Sequence, residues 1–443
     1  MPANSPVETV DTIINACWIV PVVPNNQLLT DHSLVVHDGK IKAILPTEKV
    51  VQRYCSDRVV DCSAHLLIPG LVNSHTHAPM SLMRGLADDL PLQTWLEDHI
   101  WPAEQAHVST EFVAAGSRLA IAEMICSGTT CFADMYFFPN ITASIAEQAG
   151  MRAVIGLVLI DFPNSWAATP EEHLRLGLQL HDQYVSSPLI TTQFAPHSAY
   201  TVSDQWLEQV ATPAEELDLP ITIHIHETAA EVEQSQTQHK MRPLERISQL
   251  GLLSSRLQAV HATQLLPDEI ETLAQHGASV VHCPQSNMKL ASGACPVNQL
   301  LNSGVNVSLG TDGAASNNNL NMVEEMRCAG LLGKLTANDA AALPAHTLLE
   351  MATINGARAL GLDQQIGSLE PGKAADITAI RLDTLHTVPV FDPLSALIYA
   401  SGRDNVTDVW VAGRQLLKDG ELLTLHPPTL IKQTAQWRRQ LQS

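Results

Sequence analysis

Apolar residues along the middle of this chain fall into short continuous runs separated by longer amphipathic stretches. LLIPGLVNSHTH, GTTCFADM, RAVIGLVLI, ITTQFAP, PITIHIHE, LQAVHAT, ASVVHCP and VNVSLGTD are all short enough to be strands. Between them lie segments with a helical period, such as STEFVAAGSRLAIAEMICSG, SDQWLEQVATPAEELD and LPDEIETLAQHG. Eight strand–helix alternations over about 300 residues predict an α/β fold, a parallel (β/α)8 TIM barrel over residues 68–368.

The two ends have a different texture. TIINACWIVPV, SLVVHDGKIKAILP and RVVDCSAHLLIPG read as strands joined by turns, with Asp38-Gly39 as a hairpin signal. ADITAIRL and VTDVWVAGRQLLKDGEL repeat that texture near the C-terminus, with Gly413 and Asp419-Gly420 at turns. One small discontinuous β-sandwich domain is therefore expected from residues 1–67 and 369–443, with HPPTLIKQTAQWRRQLQ as a closing helix. Nothing repeats at a period of 20–50 residues, the spacing of solenoids and propellers.

Charge narrows the partners. The chain of 443 residues carries 46 acidic and 25 basic side chains, a formal net charge of −21. Such a surface repels phosphate backbones and anionic lipid, so neither nucleic acid nor membrane is expected as a partner. No apolar run is long enough to span a bilayer, and Ala153–Ile160 is only strand-length. The N-terminal residues lack a basic region and carry Glu8 and Asp11, so no leader is expected and the location expected is cytoplasmic. The eight cysteines form no CxxC pair and read as reduced thiols.

In a TIM barrel the chemistry sits at the C-terminal ends of the strands, so polar residues there carry the most weight. The first strand ends in SHTH, where His75 and His77 are two apart and share one face. The fifth ends in HIHE and offers His224, His226 and Glu227. The sixth offers His261, and the eighth ends in GTDG with Asp312. Three imidazoles and a carboxylate with an open position make a catalytic metal site rather than a structural one. Strand periodicity does not choose between His224 and His226. His65, His99, His173, His239 and His276 read as surface or core residues.

PGLVNSHTHAPMSLMRGLADDLPLQTWLEDHIWPAE, HSAYTVS, HIHET, HCPQSNMKLASG and LGTDGAASNNNLNM together resemble the amidohydrolase superfamily, and within it the 5'-methylthioadenosine/S-adenosylhomocysteine deaminases. The resemblance runs nearly the whole chain, including GSLEPGKAADI. It implies that His75, His77, His224 and Asp312 bind one Zn2+ ion, a His3Asp set that Fe2+ or Mn2+ also suits. It places Glu227 as the proton shuttle and His261 in the pocket, polarising the attacking water or steadying the intermediate. Asp312 would also take a proton from that water. No lysine matches the bridging lysine of binuclear relatives, and Lys289 belongs to a loop motif, so a single metal is expected.

The reaction so implied is hydrolytic deamination of 5'-methylthioadenosine, S-adenosylhomocysteine or adenosine to the inosine analogue and ammonia. The resemblance puts Glu104 on the ribose hydroxyls and His197 near the base or sugar; Glu227 and Asp312 face the substrate as well. Met83, Leu86, Leu90 and Trp95 read either as an apolar lid or as core, and Asp88-Asp89 as solvated. Arg152 lies one residue into its strand and is expected to point away from the site. With no arginine to clamp a carboxylate, methylthioadenosine is the expected preference. A homodimer or homotetramer is implied by the resemblance. Two rival readings remain: a guanine or oxidised-purine deaminase or s-triazine hydrolase of the same superfamily, and a non-enzymatic scaffold on the same fold.

Overall fold

A computed structural model describes residues 7–25 and 27–442 of the chain. The reading of the first six residues as no part of a leader lies outside them.

Eight parallel strands, each paired with the next in chain order, form the central sheet. They are β1 (Leu71–Thr76), β2 (Thr129–Asp134), β3 (Arg152–Leu159) and β4 (Ile190–Pro196), then β5 (Ile221–Ile225), β6 (Leu257–His261), β7 (Ser279–His282) and β8 (Asn306–Leu309). Each falls within one of the eight apolar runs. Nearly every side chain on them is buried, since helices cover the outside and side chains fill the interior.

The seam between β8 and β1 is made partly by side chains. Asp312 donates its N–H to the His75 carbonyl at 3.0 Å. The Asn73 amide bridges Thr311, accepting from its N–H at 2.9 Å and donating to its hydroxyl at 2.7 Å. Gly310 is required here, because a Cβ would lie 2.9 Å from the His75 nitrogen. Two candidate metal ligands thus sit on the seam itself.

Outer helices begin where the sequence offers a cap. Ser109 accepts from the Phe112 N–H at the head of Thr110–Cys126, and Thr169 accepts from Glu172 at the head of Pro170–Tyr184. Gly277, at φ 67°, ends Pro267–His276. The connection after β1 is the long one. It runs through a 3₁₀ turn (Ala78–Met83), a short helix (Leu92–Trp95), a π turn (Leu96–Ile100) and a second helix (Trp101–His107). π turns are rare and recur at functional sites, and this one forms a wall of the cavity described below.

Strands from both termini share one eight-stranded sheet. Its N- and C-terminal halves join where Val59–Pro69 pairs antiparallel with Ile377–Arg381. Asp38 and Gly39 take φ of 50° and 72°, as a tight hairpin turn demands, and Asp419-Gly420 repeats the device. The buried ion pair Arg152–Asp376, Nε to Oδ2 at 2.9 Å, ties the start of β3 to this sheet. Arg152 therefore points away from the barrel mouth, as expected. The closing helix, Pro427–Leu441, lays Trp437 edge-on against Phe112, their ring centroids 5.3 Å apart. No helix among the described residues is long and apolar enough to cross a membrane.

Candidate active site

Four side chains from three strand ends converge at the barrel mouth. One ligand atom each from His75, His77, His224 and Asp312 lies within 4.8 Å of every other. Two metal–ligand bonds of about 2.2 Å reach across at most about 4.4 Å, so a slight contraction of the set would hold one zinc ion. His75 Nε2 is 3.0 Å from His224 Nε2, and His77 Nε2 is 3.2 Å from Asp312 Oδ1.

The opposite edge of three of these groups is anchored. His77 Nδ1 bonds the Met135 carbonyl and His224 Nδ1 the His197 carbonyl, both at 2.6 Å. Such bonds fix the tautomer and leave Nε2 free for a metal. Asp312 Oδ2 accepts hydroxyls from Ser286 at 2.7 Å and Ser316 at 2.6 Å, which leaves Oδ1 facing the imidazoles. Burial alone would raise the Asp312 carboxyl, but hydrogen bonds from His75 and His77 hold it well below the usual range. Burial lowers His75 to about 4. An ionised carboxylate among buried imidazoles is a donor set that fits a divalent cation.

His226, the alternative at the fifth strand, goes elsewhere. It takes φ of 54°, and its Nε2 accepts from the Leu244 N–H at 3.1 Å beside Glu269. Glu227 is 6% exposed, with Oε2 3.9 Å from His261 Nε2 and Oε1 3.4 Å from the Ser292 hydroxyl. Burial raises its carboxyl above the ordinary range, opposed by His261 and reinforced by Asp312. His261 Nδ1 is fixed by Asn287 Oδ1 at 2.8 Å.

A cavity of about 610 Å³ opens over these groups and also reaches Glu104 and His197. Glu104 stands on the helix Trp101–His107, where burial raises it to about 7 against the Tyr136 hydroxyl, which donates to Oε1 at 2.7 Å. His197 Nδ1 bonds the Thr201 hydroxyl at 2.9 Å, and burial beside His77 and His75 lowers the ring to about 3, so it is neutral. Trp95 lines the cavity with Leu92, Leu96, Ile100, Trp101 and Phe162. Met83, Leu86 and Leu90 pack behind that wall and form core. No lysine or arginine is among the lining residues.

Other features escaped the sequence reading. Tyr136 lies just beyond β2 and nothing in its neighbourhood signals a site. Ser286, Asn287, Ser292 and Ser316 sit inside the motifs HCPQSNMKLASG and GTDGAAS, where that signal was present but unassigned. Asp88 is not simply solvated. It accepts from Lys289 Nζ at 2.7 Å and from the Asn318 amide at 2.8 Å, so Lys289 straps three barrel-mouth loops and stands outside the imidazole cluster.

The sequence model described as "Amidohydrolase family" matches residues 66–416. A 5-methylthioadenosine/S-adenosylhomocysteine deaminase of Teredinibacter turnerae is 49% identical, over 98% of this chain and 98% of the relative. A 5'-deoxyadenosine deaminase of Methanothermobacter thermautotrophicus is 45% identical, over 89% of this chain and 91% of its own. Among solved structures, an adenosine deaminase from Xanthomonas campestris with bound zinc superposes with a TM-score of 0.98 at 49% identity, covering 99% of this chain and 100% of that one.

Proposed function

Because the chain belongs to the amidohydrolase family, we propose that it is a zinc-dependent aminohydrolase that converts 5'-methylthioadenosine, and with it S-adenosylhomocysteine or adenosine, to the inosine analogue and ammonia. The observation that carries this reading is one cavity shared by a three-imidazole, one-carboxylate cluster, a buried carboxyl beside it, and a second carboxylate farther along the wall.

His75, His77, His224 and Asp312 would hold the zinc ion. When bound, the metal acidifies a water towards neutrality and so supplies a nucleophile at pH 7. Glu227 is suited to deliver a proton to the purine ring nitrogen next to the amine-bearing carbon, because burial keeps its carboxyl protonated at higher pH than usual. Asp312 Oδ1 faces the cluster and can accept the proton that the attacking water loses. His261, held by Asn287, steadies charge on the oxygen as the carbon becomes tetrahedral. Ammonia leaves with the proton that Asp312 returns, and the hydroxyl proton left on the same carbon passes to Glu227 as the carbonyl forms, so water and the amine exchange with no other reagent. Glu104 can accept two ribose hydroxyls, and His197 offers a neutral ring beside base or sugar.

The apolar side chains of Leu92, Trp95, Leu96, Ile100, Trp101 and Phe162 on the cavity wall suit a thioether rather than an amino acid. With no cation on the wall to meet a carboxylate, methylthioadenosine is the preferred substrate over S-adenosylhomocysteine. All eight cysteines are free, which fits a reducing cytoplasm. A homo-oligomer, dimer or tetramer, is the assembly that the family resemblance supports.

The test is an absorbance assay on zinc-loaded protein, following loss of the adenine band with methylthioadenosine, S-adenosylhomocysteine, adenosine and guanine in parallel. Turnover of methylthioadenosine that a chelator abolishes is expected. Turnover of guanine alone moves the reading to a free-base deaminase. No turnover of any purine by zinc-loaded protein returns it to a triazine-type hydrolase or a scaffold.

A further inference from the structure

The turn that carries Glu227 is held by a second carboxylate. β5 ends at Ile225, and the helix Ala229–His239 starts four residues later with Thr228 as its cap. Thr228 Oγ1 accepts from the Glu231 N–H at 3.2 Å, an ordinary first-turn bond. Glu231 stands where a capping box would bend the side chain back to the cap residue's own N–H. Here it reaches farther back. Its Oε1 accepts from the His226 N–H at 3.0 Å and its Oε2 from the Glu227 N–H at 2.6 Å.

These two donors belong to the residues whose side chains must part company. His226 adopts φ of 54°, costly for a non-glycine residue, and its ring leaves the metal cluster for Leu244 and Glu269. Glu227 follows and turns its carboxyl into the cavity towards His261. On the far side, the Glu227 carbonyl accepts from the Thr263 hydroxyl at 2.7 Å, and the His226 carbonyl from the Thr263 N–H at 2.9 Å. The N–H groups of this turn are gripped by Glu231 and its carbonyls by Thr263, and Glu231 is itself 6% exposed.

We infer that Glu231 is a positioning residue for the deamination, its carboxylate locking the turn after β5 so that Glu227 points at the reacting ring nitrogen. The inference rests on the reading of Glu227 as the proton-transfer residue. Misplacing a catalytic group by about 1 Å costs on the order of 100-fold in rate, so the effect belongs in kcat.

The experiment is a double-mutant cycle on the zinc-loaded enzyme with Glu231→Gln and Glu227→Gln, singly and together. Glutamine at 231 keeps the volume but turns an amide N–H2 against one of the two backbone donors. Glu231→Gln is expected to lower kcat by about 10- to 100-fold, with KM and zinc content unchanged. In the Glu227→Gln background the same change should cost less than about threefold, because no acid is left to misplace. An undiminished loss in that background overturns the inference, since the clamp then serves the fold or the metal. So does an unchanged kcat in the single variant. If Glu227→Gln is itself fully active, the reading of Glu227 fails first and separately. Should Glu231→Gln not accumulate as folded, zinc-loaded protein, Glu231→Asp, whose shorter arm cannot span both N–H groups, is put through the same cycle and read by the same two outcomes.

Discussion

Removing the hydroxyls that hold Asp312 should weaken the metal site without touching a ligand. Ser286 and Ser316 are both buried, and they donate to Asp312 Oδ2 at 2.7 and 2.6 Å. Those are the short distances of hydroxyl-to-carboxylate bonds. Between them they occupy one carboxylate oxygen and turn the other to His77 Nε2 at 3.2 Å and His75 Nε2 at 3.6 Å. A hydrogen bond to a charged group contributes about 1.5–3 kcal/mol. At about 1.4 kcal/mol per decade that is roughly 10- to 150-fold in affinity, in line with the roughly 10- to 100-fold seen for outer partners of metal ligands. Ser286→Ala and Ser316→Ala are each expected to weaken zinc binding by about 10- to 100-fold. The double variant should lose more than either, though less than the product, because a carboxylate freed on one side already relaxes. Competition against a chromophoric chelator reads the affinity, and turnover at saturating zinc should recover most of its rate. A double variant that holds zinc as tightly as the unaltered chain would show that neither hydroxyl orients Asp312.

Glu227→Gln should retain full zinc content, since Glu227 is not among the four converging groups, while kcat falls by about 100- to 10,000-fold; normal turnover removes it from the chemistry. Lys289→Met breaks the strap to Asp88 and Asn318 and should raise KM about tenfold with a smaller change in kcat, because the wall from Leu92 to Glu104 hangs from that loop; an unchanged KM counts against the strap. Asp376→Asn leaves buried Arg152 without its counter-ion and should cost about 3 kcal/mol, seen as a lowered Tm, whereas an unshifted Tm would show the pair to be dispensable. Burial lowers His173 to about 4, below its ordinary 6.5, so the folded state binds fewer protons than the unfolded between those values. Its contribution is complete above pH 6.5 and declines as pH falls towards 4, by about 2 kcal/mol at pH 5. His173→Gln removes that acid limb, so denaturant midpoints of variant and unaltered chain should converge between pH 7 and 5; parallel curves contradict this.

The barrel and most of its cluster were legible because two periodicities coincide. Strands buried on both faces read as short apolar runs, and polar residues at their C-terminal ends stand out against that background. His75, His261 and Asp312 are each found this way, from the last two residues of a strand or the few after it. The wall of the cavity was not legible in the same way. Leu92, Leu96, Ile100 and Trp101 lie on a connection that has no barrel period, and its π turn obeys neither a 3.6 nor a 2.0 rule. Tyr136 reaches Glu104 across 32 positions of sequence, a contact that only the closed barrel creates.

His224 and His226 mark the limit most sharply. Two residues apart on an ideal strand, both would face the metal, and alternation alone treats them as equals. The strand is not ideal at its last step: φ of 54° at His226 swings that ring into Leu244 and Glu269, and burial there lowers it to about 4. Left-handed backbone at a β-adjacent histidine does not pay for itself, so something outside the pair must hold it. The holder is Glu231, five positions downstream and one helical turn away, together with Thr263 from the neighbouring strand end. A ligand is thus selected by excluding its neighbour. The exclusion is written in a helix cap and a hydroxyl from the adjacent strand end rather than in the HIHE motif, which is why a family pattern can make a choice that strand geometry cannot.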